Sequence, residues 1–334
     1  MTVASRMSGT VLVVGCGSIG QRHLRNLAAL GVSRLVAIDP DGERRAAAAE
    51  AGAVTHAELV PALDEKPDAV IVATPPALHA APALAALERG AHVFVEKPLA
   101  ASVADGRALV EAAAPARGVL RVGYQFRFHP AVRMLKRLVD DGAVGRPLML
   151  RAEVGQYLPD WRPAQDYRTT YNARADLGGG IILDATHEID YTCWLMGDVC
   201  AVSAIAERLT DLEIEVEDTA LVIGRLARGG VVEWHLDTVQ RAYSRGAKIV
   251  GDAGTLVWDW PDVVRLYRAS SGAWESFRVD FDVNRVYVDE MRAFLDAAVG
   301  DAQAPGATAP EAFRVLEIAL AARRVAAERR EVVV

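Results

Sequence analysis

In the first third of the chain, apolar positions fall into short β-branched runs at residues 11–14, 34–38, 69–73, 91–95 and 119–123. The segments between them carry alanine and leucine at helical spacing. Unbroken apolar runs of this length mark strands buried on both faces, and helical crossovers between them make the strands parallel. After residue 125 the pattern changes. An amphipathic stretch at 130–141, closed by Gly142, precedes eight strand-like runs at 148–154, 199–207, 218–226, 231–238, 245–250, 254–259, 263–267 and 274–279. From 199 onward these runs follow one another through short turns, with Ala227-Arg228-Gly229-Gly230 and Ser270-Ser271-Gly272 as turn signals, so the pattern predicts a mostly antiparallel sheet. Helices are expected at 184–196, 286–299 and 310–330, with an exposed loop at 301–309.

The first β-to-helix turn is Gly15-Cys16-Gly17-Ser18-Ile19-Gly20, a G-x-G-x-x-G that follows strand 11–14 and opens a helix. In that context the first glycine permits the tight turn, the second lets backbone approach a pyrophosphate, and the third lets helix and strand pack closely. The pyrophosphate then meets a helix N-terminus. Nineteen residues after Gly20, at the end of the second strand, Asp39 is placed to accept hydrogen bonds from a ribose. A carboxylate there repels a 2′-phosphate, so NAD is expected in preference to NADP. Arg44 and Arg45 lie just beyond, either as a solvated face or as phosphate receivers. Ala73-Thr74-Pro75-Pro76 ends the third strand, so Thr74 and Pro75 are expected beside the nicotinamide ribose, with His79 close behind.

The fold class is therefore α/β, an N-terminal Rossmann dinucleotide-binding domain (1–125) followed by an α+β domain (126–334) with a large open sheet. A broad apolar sheet face left uncovered predicts a homo-oligomer, dimer or tetramer, formed through that sheet.

Glu96-Lys97-Pro98 follows strand 91–95, and Pro98 biases Lys97 towards extended backbone. Lys97 thus stands at the carboxyl edge of the parallel sheet, where open α/β sheets bind ligands. A second cluster, residues 177–191, joins three glycines, Gly178, Gly179 and Gly180, to a helix on which Asp184, His187 and Tyr191 share a face. Ile189, Cys193 and Met196 would form the buried stripe of that helix. The glycines imply either close backbone approach or a mobile segment. Alcohol oxidation needs a group that removes the hydroxyl proton while hydride leaves the same carbon, and histidine titrates near neutral pH. Asp184 can fix the tautomer of His187 or cap the helix. Lys97 can stabilise alkoxide character or share the proton itself, so the two roles are coupled.

Taken together, these motifs resemble the Gfo/Idh/MocA family of oxidoreductases: the glycine loop, residues 73–76 with His79, Glu96-Lys97-Pro98, residues 122–130, the 178–190 segment, and Gly251-Asp252-Ala253-Gly254-Thr255. They come in the family's order and span nearly the whole chain. The resemblance implies a Rossmann domain, an open mixed C-terminal sheet, NAD or NADP, and sugar, cyclitol or nucleotide-sugar substrates. It puts the family's catalytic lysine on Lys97, with Glu96 beside the cofactor, and its histidine on His187. Asp184 precedes His187 by three residues, where many members have four. Tyr124 and Arg127 fall in the family's substrate region.

The segment 156–171 is rich in arginine and aromatics, and Trp161, Arg162, Tyr167 and Arg168 are expected to meet the substrate, through forked donors and ring faces. Two other readings stand beside the dehydrogenase: a cofactor-binding sensor without turnover, and an enzyme that recycles tightly bound cofactor.

Composition narrows the setting. Net charge is −7 and basic residues are scattered, which argues against a nucleic-acid partner. Three cysteines without a Cys-x-x-Cys pair argue against disulfides and structural zinc, and no metal is expected. No apolar run approaches the roughly 20 residues of a membrane span, and residues 1–10 lack a signal-like segment, so no membrane partner and a cytoplasmic location are expected.

Overall fold

The computed structural model describes residues 9–329. Residues 1–8 and 330–334, which hold most of the segment expected to lack a signal and the last residue of the predicted C-terminal helix, lie outside them.

Two compact units form, and the first holds the described residues up to Phe128 together with Val283–Phe313. Its strands are β1 (Thr10–Val14), β2 (Arg34–Ile38), β3 (Val54–His56), β4 (Ala69–Val72), β5 (His92–Glu96) and β6 (Leu120–Gly123). They are ordered 3-2-1-4-5-6, each neighbour parallel, and a short strand, Ala307–Thr308, pairs antiparallel with β6. The crossovers carry α1 (Ser18–Ala29), α2 (Gly42–Glu50), α3 (Leu59–Asp64), α4 (Ala80–Glu88) and α5 (Val103–Ala113). The order reverses between β1 and β4, and the carboxyl ends of strands at such a reversal are where ligands bind. Neither β3 nor Ala307–Thr308 is legible as a strand, because three and two residues with little apolar content carry no period.

The boundary expected at 125/126 needs correction. Helix Val283–Ala298 belongs to the first unit, because Met291, Phe294 and Leu295 are buried in the same cluster as Val11, Leu24, Ile71 and Phe94. Asn284 Nδ2 also donates to Asn26 Oδ1 of α1, at 3.0 Å.

The second unit, His129–Asp282 with the chain from Arg314 onward, begins at α6 (Pro130–Asp140). It is built on β7 (Pro147–Gly155), β8 (Val199–Glu207), β9 (Thr219–Leu226), β10 (Val231–Asp237), β11 (Ser244–Gly251), β12 (Gly254–Asp259), β13 (Val263–Arg268) and β14 (Ala273–Arg278). The order is 14-13-12-11-7-10-9-8, antiparallel throughout except for β7 with β10. Residues 156–198 carry the chain from β7 to the far edge through α7 (Ile181–Asp184) and α8 (Thr186–Met196), and a meander brings β10 back beside β7.

One sheet face packs on α8: Trp234 Nε1 donates to Thr192 Oγ1 at 3.0 Å, and Tyr191 meets Trp258 edge-on. The other face is open. Ile205 and Ile223 are each 58% exposed, and Leu221 stands with them. The predicted stripe on α8 also needs correction. Cys193 and Met196 are only half-buried, whereas Thr186, His187, Glu188, Asp190 and Tyr191 are buried, so the helix is enclosed on nearly all sides. Among the described residues no helix is long and apolar enough to cross a membrane.

Candidate functional site

The glycine loop of the first unit has the geometry of a dinucleotide cradle. Gly15 has φ +92°, and a Cβ there would lie 2.7 Å from the Ala73 carbonyl oxygen. A Cβ on Gly20 would stand 1.8 Å from the Gly15 carbonyl oxygen, so α1 packs where only glycine fits. Gly17 is different: nothing lies within 4 Å of its Cβ position. It also precedes α1 without any side-chain cap, so no side chain takes up the first-turn N–H groups. An uncapped helix end beside an open glycine fits a pyrophosphate. Ser18 is exposed and Ile19 half-buried on that turn.

Asp39 is 3% exposed; its Oδ2 accepts from Cys16 N at 2.8 Å and its Oδ1 from Asp41 N at 2.9 Å. The carboxylate is thereby fixed against the glycine loop before any ribose reaches it. Burial, then the Asp39 charge, push the Cys16 thiol up to about 12, so it stays protonated. Arg45 Nη1 is tied to the Asp39 and Pro40 carbonyls at 2.7 and 2.9 Å, and Arg44 Nη1 stands 3.8 Å from the Asp39 carboxylate. Of the two readings of this arginine pair, a ready phosphate receiver is the poorer fit.

Pro75 is half-buried, and the Thr74 hydroxyl is buried without a hydrogen-bond partner, an arrangement a polar ligand group would complete. His79, expected at the cofactor, is fully buried: Nδ1 lies 2.9 Å from the Pro98 carbonyl oxygen and Nε2 2.9 Å from that of Thr74. It latches together the loops after β4 and β5. Burial holds its pKa below the ordinary histidine value, against the pull of those two carbonyls.

Lys97 is half-buried at the end of β5 and joined to Pro98 by a cis peptide bond. Glu96 before it is also a correction. Its carboxylate is turned inward to His23 of α1, with Nε2 to Oε1 at 2.7 Å. Sequence reasoning missed His23, although its spacing from Gly20 and Leu27 places it on the buried face of α1. Tyr124 is fully buried, and Arg127, 8% exposed, is paired through Nη1 with Glu311 at 3.0 Å.

In the second unit the glycine triplet is clamped. A Cβ on Gly179 would meet the Tyr171 carbonyl oxygen at 2.3 Å, and one on Gly180 would meet Arg323 and Glu217. Arg323 Nη2 donates to the Gly179 carbonyl at 2.5 Å and to Glu217 Oε1 at 2.8 Å. Close approach, not mobility, explains these residues. The helix expected from 184 is two helices broken at Ala185. Asp184 closes α7, so it is not an N-cap; its Oδ1 accepts from the Tyr171 hydroxyl at 2.6 Å. His187, 5% exposed, is followed by Glu188, whose Oε1 accepts from Arg245 Nε at 2.8 Å in a buried ion pair.

Segment 156–171 folds on a small core of its own, Leu158 and Ala173 against Leu212, Ile214 and Val216, with Trp161 and Tyr167 packed on it. Trp161 Nε1 donates to the Gln156 carbonyl at 2.9 Å, and Tyr167 Oη accepts from Glu213 N at 3.2 Å. Arg168 is a further correction. Its fork is taken up by Asp166 and Glu213, which hold its pKa above the ordinary arginine value. Arg162 is exposed at the same loop.

A Rossmann cradle with a lysine at its carboxyl edge, joined to a unit with an open sheet, defines a dinucleotide-binding oxidoreductase. Residues 10–124 match the oxidoreductase family model with an NAD-binding Rossmann fold, and residues 132–257 match the GFO/IDH/MocA C-terminal domain. The chain belongs to the Gfo/Idh/MocA family. It is 31% identical over 316 residues to inositol 2-dehydrogenase 1 of Saccharopolyspora erythraea, covering 90% of this chain and 89% of that protein. GenD2 from gentamicin A biosynthesis, solved in complex with NAD, superposes with a TM-score of 0.83 at 28% identity, over 97% of this chain and 95% of that one. Levoglucosan dehydrogenase shares the fold, with a TM-score of 0.86 at 24% identity over 96% and 97% of the two chains.

Proposed function

We propose that the protein is an NAD-dependent dehydrogenase acting on a secondary hydroxyl, or its ketone, in a sugar, cyclitol or nucleotide sugar. The observation that carries this is Lys97, a half-buried lysine at the end of β5, one strand from the reversal in the sheet order. Residues 15–20 hold the pyrophosphate on the α1 N-terminus, Asp39 accepts from the adenosine ribose, and Thr74 and Pro75 line the nicotinamide end. NAD, when bound, supplies the hydride acceptor.

Lys97 hydrogen-bonds the substrate oxygen and steadies the negative charge that grows on it as the proton leaves. His187 takes or returns that proton, with Asp184 orienting it. Trp161 and Arg162 meet the rest of the substrate. Inositol 2-dehydrogenases among the relatives support a polyol substrate. We also infer a cytoplasmic homo-oligomer joined through the open sheet, where Ile205, Leu221 and Ile223 are exposed together. Light scattering on the purified protein tests that assembly, and a monomeric mass refutes it.

The function is tested by a panel of polyols, sugars and nucleotide sugars scored by NADH absorbance. Lys97→Ala is expected to keep NADH binding and to lower kcat about 100-fold or more, in the range of a lost donor to a developing oxyanion. Full turnover in that variant would overturn the reading.

A further inference from the structure

The dehydrogenase reading leaves a buried cluster beneath Lys97 without a task. His23, fully buried on α1, points Nε2 at Glu96 Oε1 across 2.7 Å. Glu96 Oε2 in turn accepts from the backbone N–H of Lys97 at 3.2 Å. The carboxylate has room because β6 carries Gly123 beside it, where a Cβ would lie 3.0 Å from Glu96 Oε2. One side chain on α1 thus reaches the residue that precedes the lysine and, through it, the lysine's own backbone.

We propose that His23 and Glu96 form a positioning pair that sets the charge of Lys97, with Glu96 as counter-charge and His23 holding its carboxylate in place. The inference rests on the proposed function, in which Lys97 holds the substrate oxygen and steadies the charge that grows on it. The Lys97 charge lowers the Glu96 pKa, so by reciprocity the Glu96 charge favours the Lys97 ammonium, and fixing that carboxylate fixes the strength of the effect. Glu96 stays ionised despite its burial: desolvation opposes its charge, and His23 and Lys97 more than offset it, leaving its pKa below the ordinary carboxylate value.

The other charged groups that act here are named by their elements. His79, just before α4, feels the Glu96 charge. Tyr287, on the helix Val283–Ala298, is kept neutral first by burial and then by Glu96, with Arg22 of α1 over its ring at 4.4 Å and Glu290 adding to the effect. The charged groups acting on Tyr287 are Glu96, Arg22, Glu290 and Lys97 itself. Among them Glu96 is the one hydrogen-bonded to the Lys97 backbone.

The test is competitive acetylation of the whole protein with acetic anhydride over a pH series, with the Lys97 peptide quantified by mass spectrometry. In Glu96→Gln, which keeps shape and removes charge, the Lys97 midpoint is expected to fall by about one pH unit or more. His23→Leu is expected to lower it partway, and His23→Gln, whose amide still offers a donor near the Nε2 position, to restore it. An unchanged midpoint in Glu96→Gln, or His23→Gln behaving like His23→Leu, overturns the proposal. Should Glu96→Gln fail to fold, the two His23 variants decide alone. The labelling needs no substrate, so its outcome is separate from the dehydrogenase reading, which Lys97→Ala turnover decides. On an active substrate the alkaline limb of kcat, where the Lys97 ammonium is lost, is expected to move to lower pH in Glu96→Gln, which a merely structural role would not produce.

Discussion

The Tyr171 hydroxyl donates to the Asp184 carboxylate across 2.6 Å, joining the segment before the glycine triplet to the end of α7. A hydrogen bond to a charged acceptor is among the stronger ones, and losing it leaves a half-buried carboxylate short of a donor. Tyr171→Phe is therefore expected to lower stability by about 1.5–3 kcal/mol in urea unfolding. It should also cut kcat while leaving the NADH dissociation constant unchanged, since the glycine loop is in the other unit. Equal losses in NADH affinity and kcat would show that Asp184 does not serve the chemistry.

Two glycines of the cradle, Gly20 and Gly17, should respond differently to the same substitution. Gly20→Ala forces a methyl to within 1.8 Å of a carbonyl oxygen, so α1 must shift, at a cost of about 1–3 kcal/mol and with a marked loss of NADH binding. Gly17→Ala meets nothing within 4 Å and should fold as stably as the parent. Its methyl nevertheless occupies the approach of the pyrophosphate, so NADH affinity should still fall. Thermal unfolding and fluorescence titration together separate the two effects.

Cofactor choice should turn on Asp39. Its buried carboxylate, fixed by Cys16 N and Asp41 N, offers its remaining lone pairs to ribose hydroxyls and repels a 2′-phosphate. Asp39→Ser is expected to weaken NAD and to improve NADP, reversing or erasing the preference in kcat/KM. An Asp39→Ser enzyme with the parent's NAD-to-NADP ratio would place discrimination elsewhere.

His129 should make stability depend on pH. Its Nδ1 caps α6 by accepting from Ala131 N at 3.2 Å, and its ring lies 4.4 Å from that of Phe281 and 5.1 Å from that of Trp258. Burial first, and then the nearby Arg245 charge, hold its pKa down at about 3, against an ordinary value of 6.5. The unfolded chain therefore binds the proton more readily than the folded one. This contribution is fully present above about 6.5 and is lost as pH falls towards 3, at a slope near 1.4 kcal/mol per pH unit for one proton. His129→Asn keeps a capping side chain without the titration, so denaturant unfolding between pH 6 and 4 should have a shallower slope, by about one proton.

Much of the molecule is written in local chemistry. The five apolar runs of the first domain, the eight of the second, the turn at Gly15 and the lysine after β5 all follow from period, branching and glycine placement, which act over a few residues. The helix Val283–Ala298 shows where this ends: its apolar face is legible, but that face is buried against α1 and the parallel sheet rather than in the domain next to it in sequence.

The site divides in the same way. That the chain turns tightly at Gly15 and packs closely at Gly20, with Asp39 after β2 and Lys97 after β5, follows from residue types at fixed spacings. That Arg127 is spent on Glu311, Arg168 on Asp166 and Glu213, and His79 on two carbonyls could not be read from those spacings. Nor could His23, 73 residues from the carboxylate it holds. An arginine or histidine has the same chemistry in any sequence. Whether it meets a substrate or a neighbour depends on which distant segment packs beside it, and only the tertiary structure decides that.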